Sequence, residues 1–448
     1  MKKLFIFLLF ISNYIYSQKQ PYVQLSGKLY NFNNAVLIED KSEFEGINIE
    51  DGQRKIVADS NSSFKISFPL SQPNYFRIGR NIVYFSPNDH IKLTIDYNNP
   101  QKAIFEGTHA MENTYLKNTP YPKGGSYLES GDGIKQTIPA TIEYVLRQFS
   151  IKNKELLAIK DKVDSKFFRL ELARCNADLI NSLIKIYTYY TYINKTPKDS
   201  LPYIKNKIDS LTVPLVQKYS INFLQEENLQ LVVYRDILDV LIKYQSKGTT
   251  IPQKIQDWIK CNEIKDKALL LENKNEINAL KKDADLVKTI TYKNALIKTI
   301  DKLTKINVGD EAKDFILTDL TGNKVSLSAF KNKVIYLDFW ATWCGPCIQN
   351  RPYLDSMIRL FKDNKDLVFL SISIDDDKDQ WMAYLKKKSI YKYEYIVDRN
   401  HILDYHIIGV PRMILINKAF KIVNLNAPPP NAKGLEKLLL QLSNIVVY

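Results

Sequence analysis

Cys344 and Cys347 are the residues of this chain whose types and spacing most directly define a chemistry. They are separated by Gly345 and Pro346, they follow the apolar run KVIYLDFW, and they open CIQNRPYLDSMIRLF, a stretch with helical periodicity. A sulfur at a helix N-terminus meets unpaired backbone N–H groups and the positive end of the helix dipole, which favour its thiolate. A second sulfur one turn later lies on the same face, close enough to attack a disulfide formed on the first. Pro346 suits the first helical turn, where a missing N–H costs nothing. The same spacing is also half of a tetrahedral zinc site, which needs two further ligands. His401 and His406 are the only nearby pair, and a surface or packed role accounts for them more simply, so no metal and no cofactor are expected.

Other chemistry-bearing residues have plainer readings. Cys175 and Cys261 would form a bridge in an oxidising compartment, yet Cys175 shares an apolar stripe with Leu172, Leu179, Leu183 and Ile186, which equally suits a buried free thiol. Asp375, Asp376 and Asp377 lack the spaced ligands of a calcium loop and read as a solvated loop leading into a helix. Trp381 on that helix reads as core. Tyr187, Tyr189, Tyr190 and Tyr192 read as packing between helices rather than as a binding surface.

A chain of 448 residues exceeds one ordinary core and implies two or three domains. From about Gln20 to Phe105, short alternating runs such as YVQLSGKLY, FKISFPL, NIVYFSP and HIKLTIDY are separated by turn residues, which predicts an all-β, sandwich-like domain over 18–110. No glycine occurs between Gly133 and Gly248, or from there to Gly309, and apolar residues recur at helical spacing. A helical region over 111–305 follows, interrupted by Pro197, Pro202, Pro214 and Pro252. Beyond it, KVIYLDFW and LVFLSISI are continuous apolar strands, RMILIN and FKIVNLN are further strands, and DQWMAYLKKK and GLEKLLLQL are helices. Buried strands linked by helices predict an α/β domain over 306–448.

The first 17 residues, with Lys2 and Lys3 ahead of an apolar run from Leu4 to Ile11, read as a secretory signal peptide. That run is too short to span a bilayer, so no stable transmembrane segment is expected. The absence of cysteine before Cys175 argues against a lipidated mature N-terminus, and a soluble protein of a periplasm-like compartment is expected. The net charge of +14 is spread along the chain without a compact basic block, which argues against nucleic acid as a partner.

The segment FWATWCGPC, with Asp338 two residues before its first Trp, resembles the active site of thioredoxins. The longer stretch VGDEAKDFILTDLTGNKVSLSAFKNKVIYLDFWATWCGPC resembles the TlpA/ResA-like branch of exported disulfide reductases; Pro352 falls where that family kinks its helix, and Val410-Pro411 where it has a cis-proline. The resemblance covers about Ile306 to Tyr448 and implies a thioredoxin-like fold there. It implies that Cys344 attacks a substrate disulfide, that Cys347 resolves the intermediate, and that Asp338 relays the proton of Cys347. It assigns substrate contacts to Trp343, Val410 and Pro411. The implied partners are protein thiols and disulfides of the cell envelope, with a membrane thiol protein as electron donor. Arg412, where many relatives have threonine, bears on peptide choice, and the turn in NKAFK lacks the glycine often found there. SGKL and FEGTHAMENTYL further resemble Bacteroidetes-type envelope proteins with an N-terminal β domain. Two rivals are a thiol peroxidase, whose Pro-led, Thr-containing cysteine loop Ala341-Thr342-Trp343-Cys344 does not reproduce, and a redox-controlled binding protein.

Overall fold

The computed structural model describes residues 21–443 except 33–34, 50–53, 247, 272, 376, 388–392 and 408. The expected signal peptide lies outside the described residues. Eight strands come first: β1 (Tyr22–Tyr30), β2 (Ala35–Asp40), β3 (Lys55–Val57), β4 (Ser63–Pro69), β5 (Asn74–Ile78), β6 (Asn81–Phe85), β7 (His90–Asp96) and β8 (Ile104–Gly107). They form two four-stranded sheets, β4-β1-β7-β8 and β3-β2-β5-β6. Leu25, Leu93 and Phe64 from the first sheet and Ile38, Phe76 and Val83 from the second share one apolar core, which makes the pair a sandwich. β1 and β7 run parallel, and Gly27 sits where a Cβ would collide with the Leu93 carbonyl.

The outer face of the second sheet is also buried at β5 and β6. Alternation along β5 and β6 turns Phe76 and Phe85 into the sandwich and Tyr75 and Tyr84 into the core of the helical region. That region is built on Ile138–Ala158, Ser165–Ile193, Leu201–Ser220, Gln253–Leu270 and Ile290–Leu303. The prolines mark breaks as expected at three of the four positions, Pro197 also preceding a helical turn. Pro202 occupies a first turn and Pro252 caps a helix, but Pro214 lies inside Leu201–Ser220. Two side chains also depart from their expected burial: Leu172 is exposed although the rest of its stripe is buried, and Tyr192 is 79% exposed while its three tyrosine neighbours are partly buried. Tyr192 lies in the last turn before the helix ends at Ile193, past the region where helices cover its face.

The C-terminal part is an α/β layer structure on a seven-stranded sheet. Its strands are β9 (Ile316–Asp319), β10 (Lys324–Ser326), β11 (Val334–Trp340), β12 (Leu367–Ser373), β13 (Glu394–Ile396), β14 (Arg412–Ile416) and β15 (Ile422–Asn424), in the order β10-β9-β13-β12-β11-β14-β15. β11, β12 and β13 are parallel, while β14 runs antiparallel to β11. Every residue of β11 and β12 is buried, as continuous apolar strands covered on both faces require. The helices are Gly345–Leu360, Lys378–Lys386, which buries Trp381, and Leu435–Ser443. In the turn before β15 the left-handed position falls to Phe420, at φ 59°, where glycine is the usual occupant. Among the described residues no helix is long and apolar enough to cross a membrane.

Candidate active site

β11 carries the chain through the middle of the sheet and delivers it to the N-terminus of Gly345–Leu360, the site helix. Cys344 is its N-cap residue, with extended backbone, and its sulfur accepts the Cys347 backbone N–H at 3.1 Å. Gly345 and Pro346 form the first turn, and Pro352 is accommodated further along the same helix. Cys344 and Cys347 are joined as a disulfide. The two cysteines are 5% and 2% exposed, whereas Trp343 beside them is 56% exposed.

The other expected residues gather here. Val410-Pro411 is a cis peptide, and the Val410 carbonyl lies 3.5 Å from the Cys344 sulfur. Arg412 opens β14 directly after it, paired in register with Phe339 of β11. The Arg399 guanidinium stands 6.0 Å from the centre of the Trp343 ring. Asp338 is buried on β11, in register with Ser371 of β12 on one side and Met413 of β14 on the other. Burial pushes its carboxyl up to about 7; Arg351 opposes that rise and Glu394 adds to it.

Of the acidic run after β12, Asp377 starts a helix as expected, but Asp375 is not solvated. Asp375 is buried and accepts hydrogen bonds from the Thr342 backbone and hydroxyl and from the Ser373 hydroxyl, so its charge is compensated by donors on two strand ends. Asp377 caps Lys378–Lys386 through the N–H groups of Asp379 and Gln380, and Asp376 lies outside the described residues. Two charged residues under the site, Arg351 and Glu394, are also absent from the sequence reading. Arg351 pairs with Glu394 and donates to Ser371 Oγ at 3.1 Å. The available signal was a lone arginine one turn after Cys347 on the buried face of the helix.

Cys175 and Cys261 are both free and buried, which resolves their two readings in favour of packed thiols. Burial raises both, Cys261 to about 12, so neither forms a thiolate readily. His406 packs with Nε2 2.9 Å from the Lys302 carbonyl, and among the described residues no cluster of three His, Cys, Asp or Glu side chains is arranged to hold a metal.

A disulfide at a helix tip, backed by a buried strand and faced by a cis-proline loop, defines a thioredoxin-fold oxidoreductase. Residues 307–439 match the Redoxin family. The chain is 31% identical over 121 residues to a thiol-disulfide oxidoreductase ResA of Bacillus cereus, covering 27% of this chain and 69% of the relative. It is 29% identical over 144 residues to ResA of Bacillus thuringiensis subsp. konkukian, covering 32% of this chain and 82% of the relative. The crystal structure of the thioredoxin domain of a thiol-disulfide oxidoreductase from Bacteroides vulgatus is 26% identical and covers 31% of this chain and 100% of that chain, with a TM-score of 0.29. On the sequence matches, the chain belongs to the thioredoxin-like redoxin family that includes the ResA thiol-disulfide oxidoreductases, and it is a thiol-disulfide oxidoreductase.

Proposed function

We propose that this protein is exported and reduces protein disulfides outside the cytoplasm through Cys344 and Cys347. In the reduced enzyme the Cys344 thiolate attacks one sulfur of a substrate disulfide, forming a mixed disulfide and releasing one substrate thiolate. The Cys347 thiol passes its proton to the Asp338 carboxylate and attacks Cys344. The second substrate thiol leaves, the substrate has gained two electrons, and the enzyme disulfide remains. Trp343, Val410 and Pro411 form the groove for an extended substrate, with the Val410 backbone available for pairing.

The observation that carries this reading is the position of the Cys344 sulfur, at the tip of the site helix and 3.5 Å from the Val410 carbonyl. An incoming disulfide that approaches this sulfur meets both the helix dipole and an open backbone edge. Residues 1–17 supply the export signal, a membrane thiol protein returns the electrons, and 18–110, 111–305 and 306–448 act as three domains. Cys347→Ala should accumulate mixed disulfides on Cys344 in cells, identified by mass spectrometry in the fraction outside the cytoplasm, and Cys344→Ala should accumulate none. Attachment through Cys347 instead would reverse the two roles, and recovery only from the cytoplasm would sink the export.

A further inference from the structure

Beneath the cysteine pair the parallel strands align three polar residues in one row. Asp338 on β11 is in register with Ser371 on β12, and Ser371 is in register with Glu394 on β13. Register partners on parallel strands point to the same face, at about 4.8 Å per strand, so Asp338 and Glu394 lie roughly 10 Å apart with Ser371 between them. Arg351 descends onto this row from the site helix. It stands four residues after Cys347 and so shares its face. Its guanidinium donates to Ser371 at 3.1 Å, pairs with Glu394, and lies 4.3 Å from the centre of the Trp340 ring, which is two residues after Asp338 on β11.

All three charged groups are buried, so none of them can touch a substrate. Stability does not explain the arrangement either. A buried ion pair stabilises a fold little compared with apolar side chains of the same volume. Its placement against the carboxylate that faces the reaction is the feature in need of a cause.

We propose that Arg351 and Glu394 are positioning residues for the resolving step, a pair of opposed charges that sets how readily Asp338 takes the proton of Cys347. The proposal rests on the reading of Asp338 as the proton acceptor. Arg351 favours the charged carboxylate and Glu394 disfavours it, the directions in which each acts on Asp338. Other titratable groups face the cluster. Tyr336 lies two residues before Asp338 and feels its charge, Asp355 of the site helix acts on Glu394, and Tyr384 of Lys378–Lys386 feels Arg351, Glu394 and Asp355. Each of them stays in place when Arg351 or Glu394 is replaced, so the two substitutions can be compared directly.

The test is the second thiol release when the reduced full-length protein reacts with 5,5′-dithiobis(2-nitrobenzoate), followed by stopped flow from pH 5 to 9. The first release reports attack by Cys344 and the second reports resolution by Cys347. Glu394→Gln should move the inflection of the second phase to lower pH and Arg351→Met to higher pH, each by roughly half a unit or more. Arg351→Lys, which keeps the charge, should stay near the parent and supplies the comparison if Arg351→Met does not fold. A merely structural pair would slow the step without opposite shifts. If Asp338→Asn leaves the inflection in place, the reading of Asp338 is wrong and this proposal falls with it. If Asp338→Asn abolishes the inflection but Glu394→Gln and Arg351→Met leave it unmoved or move it the same way, the role of the pair alone is overturned.

Discussion

Asp375 holds Thr342 by two hydrogen bonds, from the backbone N–H at 2.9 Å and from the side-chain hydroxyl at 2.8 Å. The link ties the end of β12 to the residue two positions before Cys344, so the loop that presents Cys344 is anchored from the side. Asp375→Ala leaves the part-buried Thr342 N–H and two hydroxyls to find other partners, at a cost of about 2–4 kcal/mol. Chemical denaturation should show that loss, and amide exchange at Thr342 should accelerate. A double-mutant cycle with Thr342→Val should give a coupling of at least about 0.5 kcal/mol; additive effects would mean the two residues are not a unit.

Asp338 makes the C-terminal domain less stable as pH rises. Its folded carboxyl titrates at about 7, above the ordinary carboxylate value, so the folded state binds the proton more tightly than the unfolded chain. The stabilisation is complete below about pH 4 and is lost as pH climbs through about 7. Asp338→Asn removes that titration. The oxidised variant should be more stable than the parent at pH 8 by up to about 3–4 kcal/mol and should match it near pH 4. Guanidinium unfolding followed by tryptophan fluorescence reads the relevant domain, since three of the four tryptophans lie beyond residue 306. Equal stability at both pH values would show that Asp338 is solvated.

The parts of this structure that were legible in the sequence are those fixed by local pattern. YVQLSGKLY coincides with β1, and the continuous apolar runs KVIYLDFW and LVFLSISI give β11 and β12, because period-two alternation and two-sided burial leave their mark on every residue. Strands of three or four residues, such as β3, β10 and β13, carry too few positions to show a period. The cysteine pair was legible for the same local reason, since strand, turn and helix tip adjoin in the chain. The row Asp338–Ser371–Glu394 was not, because strand register is set by tertiary pairing across separations that local pattern does not encode. Asp375 was read as solvated for a related reason: its donors come from Thr342, 33 residues earlier, as well as from nearby Ser373.

Arg174 neutralises two buried carboxylates at the junction between the sandwich and the helical region. It pairs with Glu171 and, at 3.0 Å, with Asp178, while Tyr75 of β5 donates to Glu171 at 2.7 Å and Ser126 donates to Asp178. Arg174→Met strands both carboxylates and should cost about 3–5 kcal/mol at pH 8. Burial already pushes Asp178 up to about 6, so without the guanidinium that acid takes up a proton more readily and the deficit should shrink at pH 5. A deficit independent of pH would assign the loss to packing rather than to charge.

Asn113 closes the exposed edge of β6. Its side chain accepts the Tyr84 N–H at 2.7 Å and donates to the Tyr84 carbonyl at 3.0 Å and to the His109 carbonyl at 2.9 Å, imitating a neighbouring strand for one residue. This is the asparagine of FEGTHAMENTYL, and its helix, Ala110–Leu116, is thereby fixed to the sheet that the helical region covers. Asn113→Ala leaves the buried Tyr84 amide and carbonyl unpaired, which should destabilise the protein by about 2–4 kcal/mol. Asn113→Asp keeps the acceptor but turns an oxygen towards both carbonyls, so it should be the worse variant at pH 8 and recover in acid as the new carboxyl gains a proton to donate. Hydrogen exchange at Tyr84 separates an edge contact from a general loss of packing: the amide should exchange faster in Asn113→Ala, which removes its acceptor, than in Asn113→Asp, which keeps it, and protection in Asn113→Ala equal to the parent would refute the edge contact.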